Sequence, residues 1–305
     1  MPLKFTSAVR LCISLFLIAG LEWVAPAQES SKPSKGAWQE VEQAMGRPGQ
    51  MQPGDVIKFA MPRKDLQVSL NGVAIKPGLA LGSWAAFSRQ GNHAMVMGDL
   101  VLTEDEIAPV MAKLQSGGVQ VAGLHNHLLS ESPHVMYMHI ASQGDAVQMA
   151  KAIHDAIALT RTPGADSPAA QQPADLGFDQ KEIEQLLGRT GKVNGGILQF
   201  GVPRVEQITD SGMTVPPSMG VATAINFQPT GGGKAAITGD FVLTGSEVNP
   251  VIKTLIANGI QVTAIHSHML TEQPRLLFMH FWANDEAAKL AKGLRAALDQ
   301  TNSAK

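Results

Sequence analysis

One pattern occurs twice in this chain of 305 residues, and that constrains its architecture more than any other feature. Residues 97–140 align with residues 238–281 at a constant offset of 141 without a gap, and 19 of the 44 pairs are identical. Gly98-Asp99 answers to Gly239-Asp240, Val101-Leu102-Thr103 to Val242-Leu243-Thr244, and Pro109-Val110 to Pro250-Val251. The likeness extends upstream with small shifts, pairing Gly46-Arg47 with Gly188-Arg189 and Pro62-Arg63 with Pro203-Arg204. Two homologous domains follow, spanning 37–160 and 177–300, with a Pro- and Ala-rich linker at 161–176 and a short tail at 301–305. Two related units on one chain are expected to pack as an intramolecular pseudo-dimer.

The N-terminus reads as an export signal. Lys4 and Arg10 precede an apolar run from Leu11 to Leu21, and Ala25-Pro26-Ala27 offers a cleavage site, so residues 1–27 form the signal peptide and 28–36 a polar leader. The run is about half the roughly 20 residues that a spanning helix needs, so a secreted or periplasmic protein free of the membrane after cleavage is expected. Cys12 is the only cysteine and lies within the signal, so any metal in the mature chain is held by histidine and carboxylate groups. Nucleic acid is not an expected partner, because the chain has no basic run and Tyr137 is its sole tyrosine.

Within each unit the pattern is α+β: an antiparallel sheet with helices packed on one face. Val56–Met61 and Leu66–Leu70 are β-rich, and Asn71-Gly72 before Val73-Ala74-Ile75 is a hairpin turn. Ile107, Val110, Met111 and Leu114 fall at helical spacing, as do Val248, Val251, Ile252 and Leu255. Thr103-x-x-Glu106 and Thr244-x-x-Glu247 are capping boxes, while Pro109 and Pro250 predict a kink or a helix that restarts at the proline. Val119–His127 and Val135–Ile140 read as strands, followed by a closing helix from about Asp145, and from about Asp285 in the second copy.

The chemistry-bearing residues repeat with the scaffold. His125, His127, Glu131 and His139 recur as His266, His268, Glu272 and His280. On a strand His125 and His127 project to one side about 7 Å apart. If Glu131 closes the turn and His139 returns on the next strand, each unit presents an N3O set suited to zinc, iron, manganese or copper, at the edge of its own sheet. A metal-free polar or catalytic site and purely structural histidines are the competing readings. Asp99 and Asp240 read as turn or bulge residues or as groups orienting a ligand histidine, and Arg63 and Arg204 as surface ion-pair partners.

Two resemblances bear on this. His-x-His followed by Glu131 is similar to the first cupin motif, which would make the chain a bicupin-like metalloenzyme. However, a helix precedes the motif here, and His139 follows Glu131 by only eight residues. The closer resemblance is to the bacterial LppY/LpqO family, carried by Gly98-Asp99-x-Val101-Leu102-Thr103, Gly118-Val119-Gln120-Val121, His125-Asn126-His127 with Glu131, and Met138-His139. It implies two tandem copies of an exported domain and brings no established reaction. Two functions remain: a metal-dependent hydrolase with Glu131 or Glu272 as ligand or general base, and a non-catalytic protein binding a metal ion or small-molecule ligand.

Overall fold

The computed structural model describes residues 38–91, 93–164 and 175–304. The expected signal peptide, the polar leader and most of the expected linker lie outside them. The first repeat begins with α1 (Gln39–Met45), followed by β1 (Gln50–Gln52), β2 (Val56–Pro62), β3 (Ser69–Leu70), β4 (Val73–Ala74), β5 (Gly82–Gln90) and β6 (His93–Leu102). It closes with α2 (Glu104–Ser116), β7 (Val121–His125), β8 (Met136–Gly144) and α3 (Ala146–Ile157). The second repeats this order with α4 (Gln180–Leu187), β9 (Lys192–Asn194), β10 (Ile197–Pro203), β11 (Thr209–Asp210), β12 (Met213–Thr214), β13 (Ala222–Gly231) and β14 (Lys234–Leu243). Then come α5 (Val248–Ala257), β15 (Gln261–His266), β16 (Glu272–Gln273), β17 (Leu277–Glu286) and α6 (Ala287–Leu298).

Each repeat builds a six-stranded antiparallel sheet, in the orders β1-β2-β5-β6-β8-β7 and β9-β10-β13-β14-β17-β15. One face of each sheet is apolar and packs against its own three helices. In the first repeat Phe59, Phe87, Val96, Leu100 and Ile140 meet Val110, Leu114 and Ile153, and in the second Phe200, Phe227, Phe241 and Phe281 meet Val251, Leu255 and Leu294. Local sequence explains the elements. Asn71 and Gly72 take φ of 49° and 80°, as the tight β3–β4 turn requires. Asp145 caps α3 by accepting from the Gln148 N–H at 2.8 Å. Pro109 sits inside α2, which starts before it, whereas Thr244–Glu247 is a turn and α5 starts two residues before Pro250.

The second face of each sheet is covered by the other repeat. Ile208, Met213, Val215, Met219 and Phe278 of repeat two pack with Ala86, Met95 and Met97 of repeat one, while Leu70, Ile75, Leu79, Val101 and Tyr137 pack with Ile197, Ala236 and Trp282. The edge strands β7 and β15 meet at the seam. There Asn126 Nδ2 donates to Thr263 O at 3.1 Å, and Thr263 Oγ1 donates to His127 O at 2.6 Å. Gly123 lies so close that a Cβ would stand 2.7 Å from Ser267 O, so only glycine fits.

A candidate metal centre between the repeats

Register places the polar groups on the inward faces. Asp99 pairs with His139 across β6 and β8, and Asp240 with His280 across β14 and β17. Irregularities between Val121 and Gly123, and between Val262 and Ala264, shift the edge strands so that His125 and His266 end them beside Tyr137 and Phe278. His127 and His268 lie just past those ends and stack on the same two rings, with centroids 3.3 and 3.5 Å apart.

The expected triad of His125, His127 and His139 comes together, but the expectation of two separate triads, each at the edge of its own sheet, is corrected by this packing. All six histidines form one buried cluster spanning both repeats, because the sheet faces that carry them point at each other. His125 and His266 stack at 3.6 Å, and the other contacts come in matched pairs: His127 with His280 and His139 with His268, each at 3.8 Å. His125, His127 and His139 bring ligand nitrogens within 4.8 Å of one another, as do His125, His266 and His280, and His139, His266 and His268. In two of these three groups the ligands come from both repeats.

Glu131 and Glu272 belong to none of these groups. Glu131 Oε1 accepts from the Val135 N–H at 3.3 Å and lies 2.8 Å from His134 Nδ1. Glu272 Oε1 accepts from the Leu276 N–H and from Arg275 Nη1, both at 2.9 Å. Both carboxylates brace the turns that precede β8 and β17. The carboxylates at the cluster are Asp99 and Asp240 instead. Asp240 Oδ2 is 2.9 Å from His268 Nε2 and 3.9 Å from His266 Nε2, and Asp99 Oδ2 is 3.3 Å from His127 Nε2. Their sequence signal was an aspartate kept in both copies on the strand face shared with His139 or His280. Arg63 and Arg204 are no surface pairs but are buried, and each holds the glutamate of its capping box, Glu106 at 2.6 Å and Glu247 at 2.7 Å.

Tautomers follow from the backbone. His139 Nδ1 donates to Gly98 O at 3.3 Å, His280 Nδ1 to Gly239 O at 2.7 Å, and His268 Nδ1 to Gly220 O at 3.1 Å. A neutral ring so held presents a bare lone pair at Nε2. Burial, reinforced by neighbouring imidazoles, holds His125, His127 and His266 far below the usual histidine range and brings His139 and His268 down to about 3. These five rings are therefore held neutral, and ring nitrogens meet across the cluster: His280 Nε2 is 3.1 Å from His125 Nε2, and His268 Nε2 is 3.0 Å from His266 Nε2, so that with the Nδ1 protons of His280 and His268 committed to the backbone, His125 and His266 donate from Nε2. Burial, helped by Asp99, raises the Asp240 carboxyl to about 7. Six buried atoms here have no hydrogen-bond partner: Asp99 Oδ1, Asp240 Oδ1, His125 Nδ1, His266 Nδ1, His127 Nε2 and His139 Nε2. Buried polar atoms left bare are rare in folded proteins and point to a missing partner.

This is a duplicated α+β protein whose two halves enclose a shared histidine–aspartate cluster. The chain belongs to the family described as Domain of Unknown Function (DUF1259), which matches residues 39–159 and again residues 181–300. No curated protein matches it. Two solved structures show remote similarity. One is the trimeric bacterial microcompartment shell protein PduB, 11% identical over 80% of this chain and 86% of that one, with a TM-score of 0.19. The other is EtuB from Clostridium kluyveri, 8% identical over 82% and 90%, also with a TM-score of 0.19. Likenesses this remote carry no functional argument.

Proposed function

We propose that this protein binds divalent transition-metal ions, zinc foremost, in the cluster between its repeats, and that it does so as a binding protein rather than a hydrolase. The observation that carries the reading is His268: its Nδ1 is committed to Gly220 O, so its bare Nε2 faces Asp240 Oδ2 at 2.9 Å and His266 Nε2 at 3.0 Å. Two imidazole nitrogens and a carboxylate oxygen converging in a buried space can give up their shared protons to a cation. Ligand atoms sharing one zinc ion stand about 3.3 Å apart, given metal–nitrogen bonds of about 2.0–2.1 Å.

Contacts among the donors support two N3O sets, each crossing the repeats: His139, His266 and His268 form one ligand group, and His125 and His280 meet at 3.1 Å beside the 3.3 Å contact of His127 with Asp99. One is His266, His268, His139 and Asp240, and the other is His125, His127, His280 and Asp99. Filled, buried coordination favours holding an ion over activating a water. The intramolecular pairing of the repeats is then part of the function, because each set draws on ligands from both halves. The signal-like residues 1–27 and the LppY/LpqO resemblance support export, where such a protein would take metal ions as its ligand.

Elemental analysis of protein purified without chelators tests this. Bound zinc, iron, manganese or copper is expected, falling in His268→Ala and His127→Ala and lost in the double variant. Wild-type protein that stays free of transition metal after incubation with zinc and desalting overturns the reading.

A further inference from the structure

The two halves of the centre differ, and the difference comes from a residue outside the ligand sets. Lys58 on β2 places its Nζ 4.0 Å from the centroid of the Trp84 ring. Trp84 on β5 is the cross-strand partner of Asp99, whose charge acts on the Lys58 ammonium. Burial lowers Lys58 to about 8, against the pull of the Asp99 charge. The second repeat has no such cation. Gln199 stands where Lys58 does and donates to Gly78 O at 3.0 Å, and Ala224, the partner of Asp240, replaces Trp84.

The ligand geometry differs in the same sense. Asp240 approaches its histidine to 2.9 Å, Asp99 only to 3.3 Å. Gly220, whose carbonyl orients His268, is itself backed by Trp84: with φ at 90°, a Cβ there would stand 2.8 Å from the indole Cη2. One indole therefore backs the carbonyl that orients His268 on the Asp240 side while carrying on its face a cation that acts on Asp99.

We propose that the centre fills in two unequal steps: an ion binds first to His266, His268, His139 and Asp240, and a second binds more weakly to His125, His127, His280 and Asp99, because the Lys58 ammonium already offsets the charge of Asp99. This rests on the metal-binding reading and deepens it. A carboxylate shared with an ammonium attracts an incoming cation less, and groups adjoining a ligand shell alter metal affinity roughly tenfold or more. Lys58 acts here as a tuning residue that touches no ion.

The test is a zinc titration of the metal-free full chain against a chromophoric chelator, in the wild type, Lys58→Gln and Lys58→Arg. Two steps roughly tenfold or more apart are expected in the wild type. Lys58→Gln, which installs the residue of the second repeat, tightens the weaker step and brings the two together, while Lys58→Arg keeps them apart. Equal steps in the wild type, or a separation that Lys58→Gln leaves unchanged, overturn the proposal. Should Lys58→Gln fail to fold, Asp240→Asn gives the order of filling: loss of the tight step supports it, and loss of the weak step overturns it. A wild type that takes up no zinc at all sinks the metal-binding reading itself, an outcome distinct from equal steps.

Discussion

Arg63 and the histidine cluster are both duplicated, buried and polar, yet their hydrogen bonding differs. Arg63 donates to Glu106, to Asp65 and to Val101 O, and Glu106 in turn accepts from the Thr103 and Arg161 N–H groups. Arg204 repeats this with Glu247, Glu206 and Val242 O, and Glu247 accepts from Thr244 and Asn302. Opposite charges meet there and both sides are hydrogen-bonded. At the histidine cluster ring nitrogens bond only to other ring nitrogens or to the backbone, and six buried polar atoms lack partners. A closed polar network fixes a fold, whereas an open one of similar burial leaves bonding capacity for something else.

The largest effect that could break this comparison comes from Arg63. Arg63→Ala leaves the Glu106 carboxylate buried without its counter-charge, at an expected loss of ~3–5 kcal/mol in urea unfolding. Arg204→Ala should match it. A loss below ~1 kcal/mol would falsify the assignment of the clamp as structural.

A smaller effect appears in acid. Burial alone would raise Glu106 and Glu247, but the hydrogen bonds from Arg63 and Arg204 and from the backbone outweigh it and hold both below the usual carboxylate range. Their folded values are thus depressed, so the stabilisation is complete above the ordinary carboxylate pKa and disappears as pH falls through the folded values. Glu106→Gln is expected to cost ~1–3 kcal/mol at neutral pH and to flatten the acid limb of a stability–pH curve. An unchanged limb would place the acid sensitivity elsewhere.

How much of this could be read in the sequence follows from the same contrast. The repeat, the sheet with helices on one face, the Asn71-Gly72 turn and the six histidines were legible, because they depend on spacing within a unit. The crossing of ligands between units was not, because no periodicity records how two sheet faces dock. Glu131 and Glu272 looked like ligands by proximity in sequence, but each lies four residues before a backbone N–H that it accepts from, at Val135 and Leu276. Arg63 looked like a surface residue because its partner Glu106 is 43 positions away. The tuning pair Lys58 and Trp84 escaped notice because it belongs to one copy only.

The smallest effect sharpens the comparison through its sign. His266 is buried to 5% side-chain exposure, its Nδ1 has no partner, and its Nε2 bonds only to the Nε2 of His268. In metal-free protein that ring makes one hydrogen bond, through Nε2, and leaves Nδ1 buried and bare, so an apolar residue of similar volume removes about as much desolvation cost as it loses in bonding. His266→Leu, unfolded in the presence of chelator, is therefore expected to be neutral or more stable by up to ~1 kcal/mol, while zinc no longer raises its Tm as it does that of the wild type. If the substitution destabilises the chelated protein by more than ~2 kcal/mol, the imidazole is serving the fold as Arg63 does, and its nitrogens are not reserved for an ion.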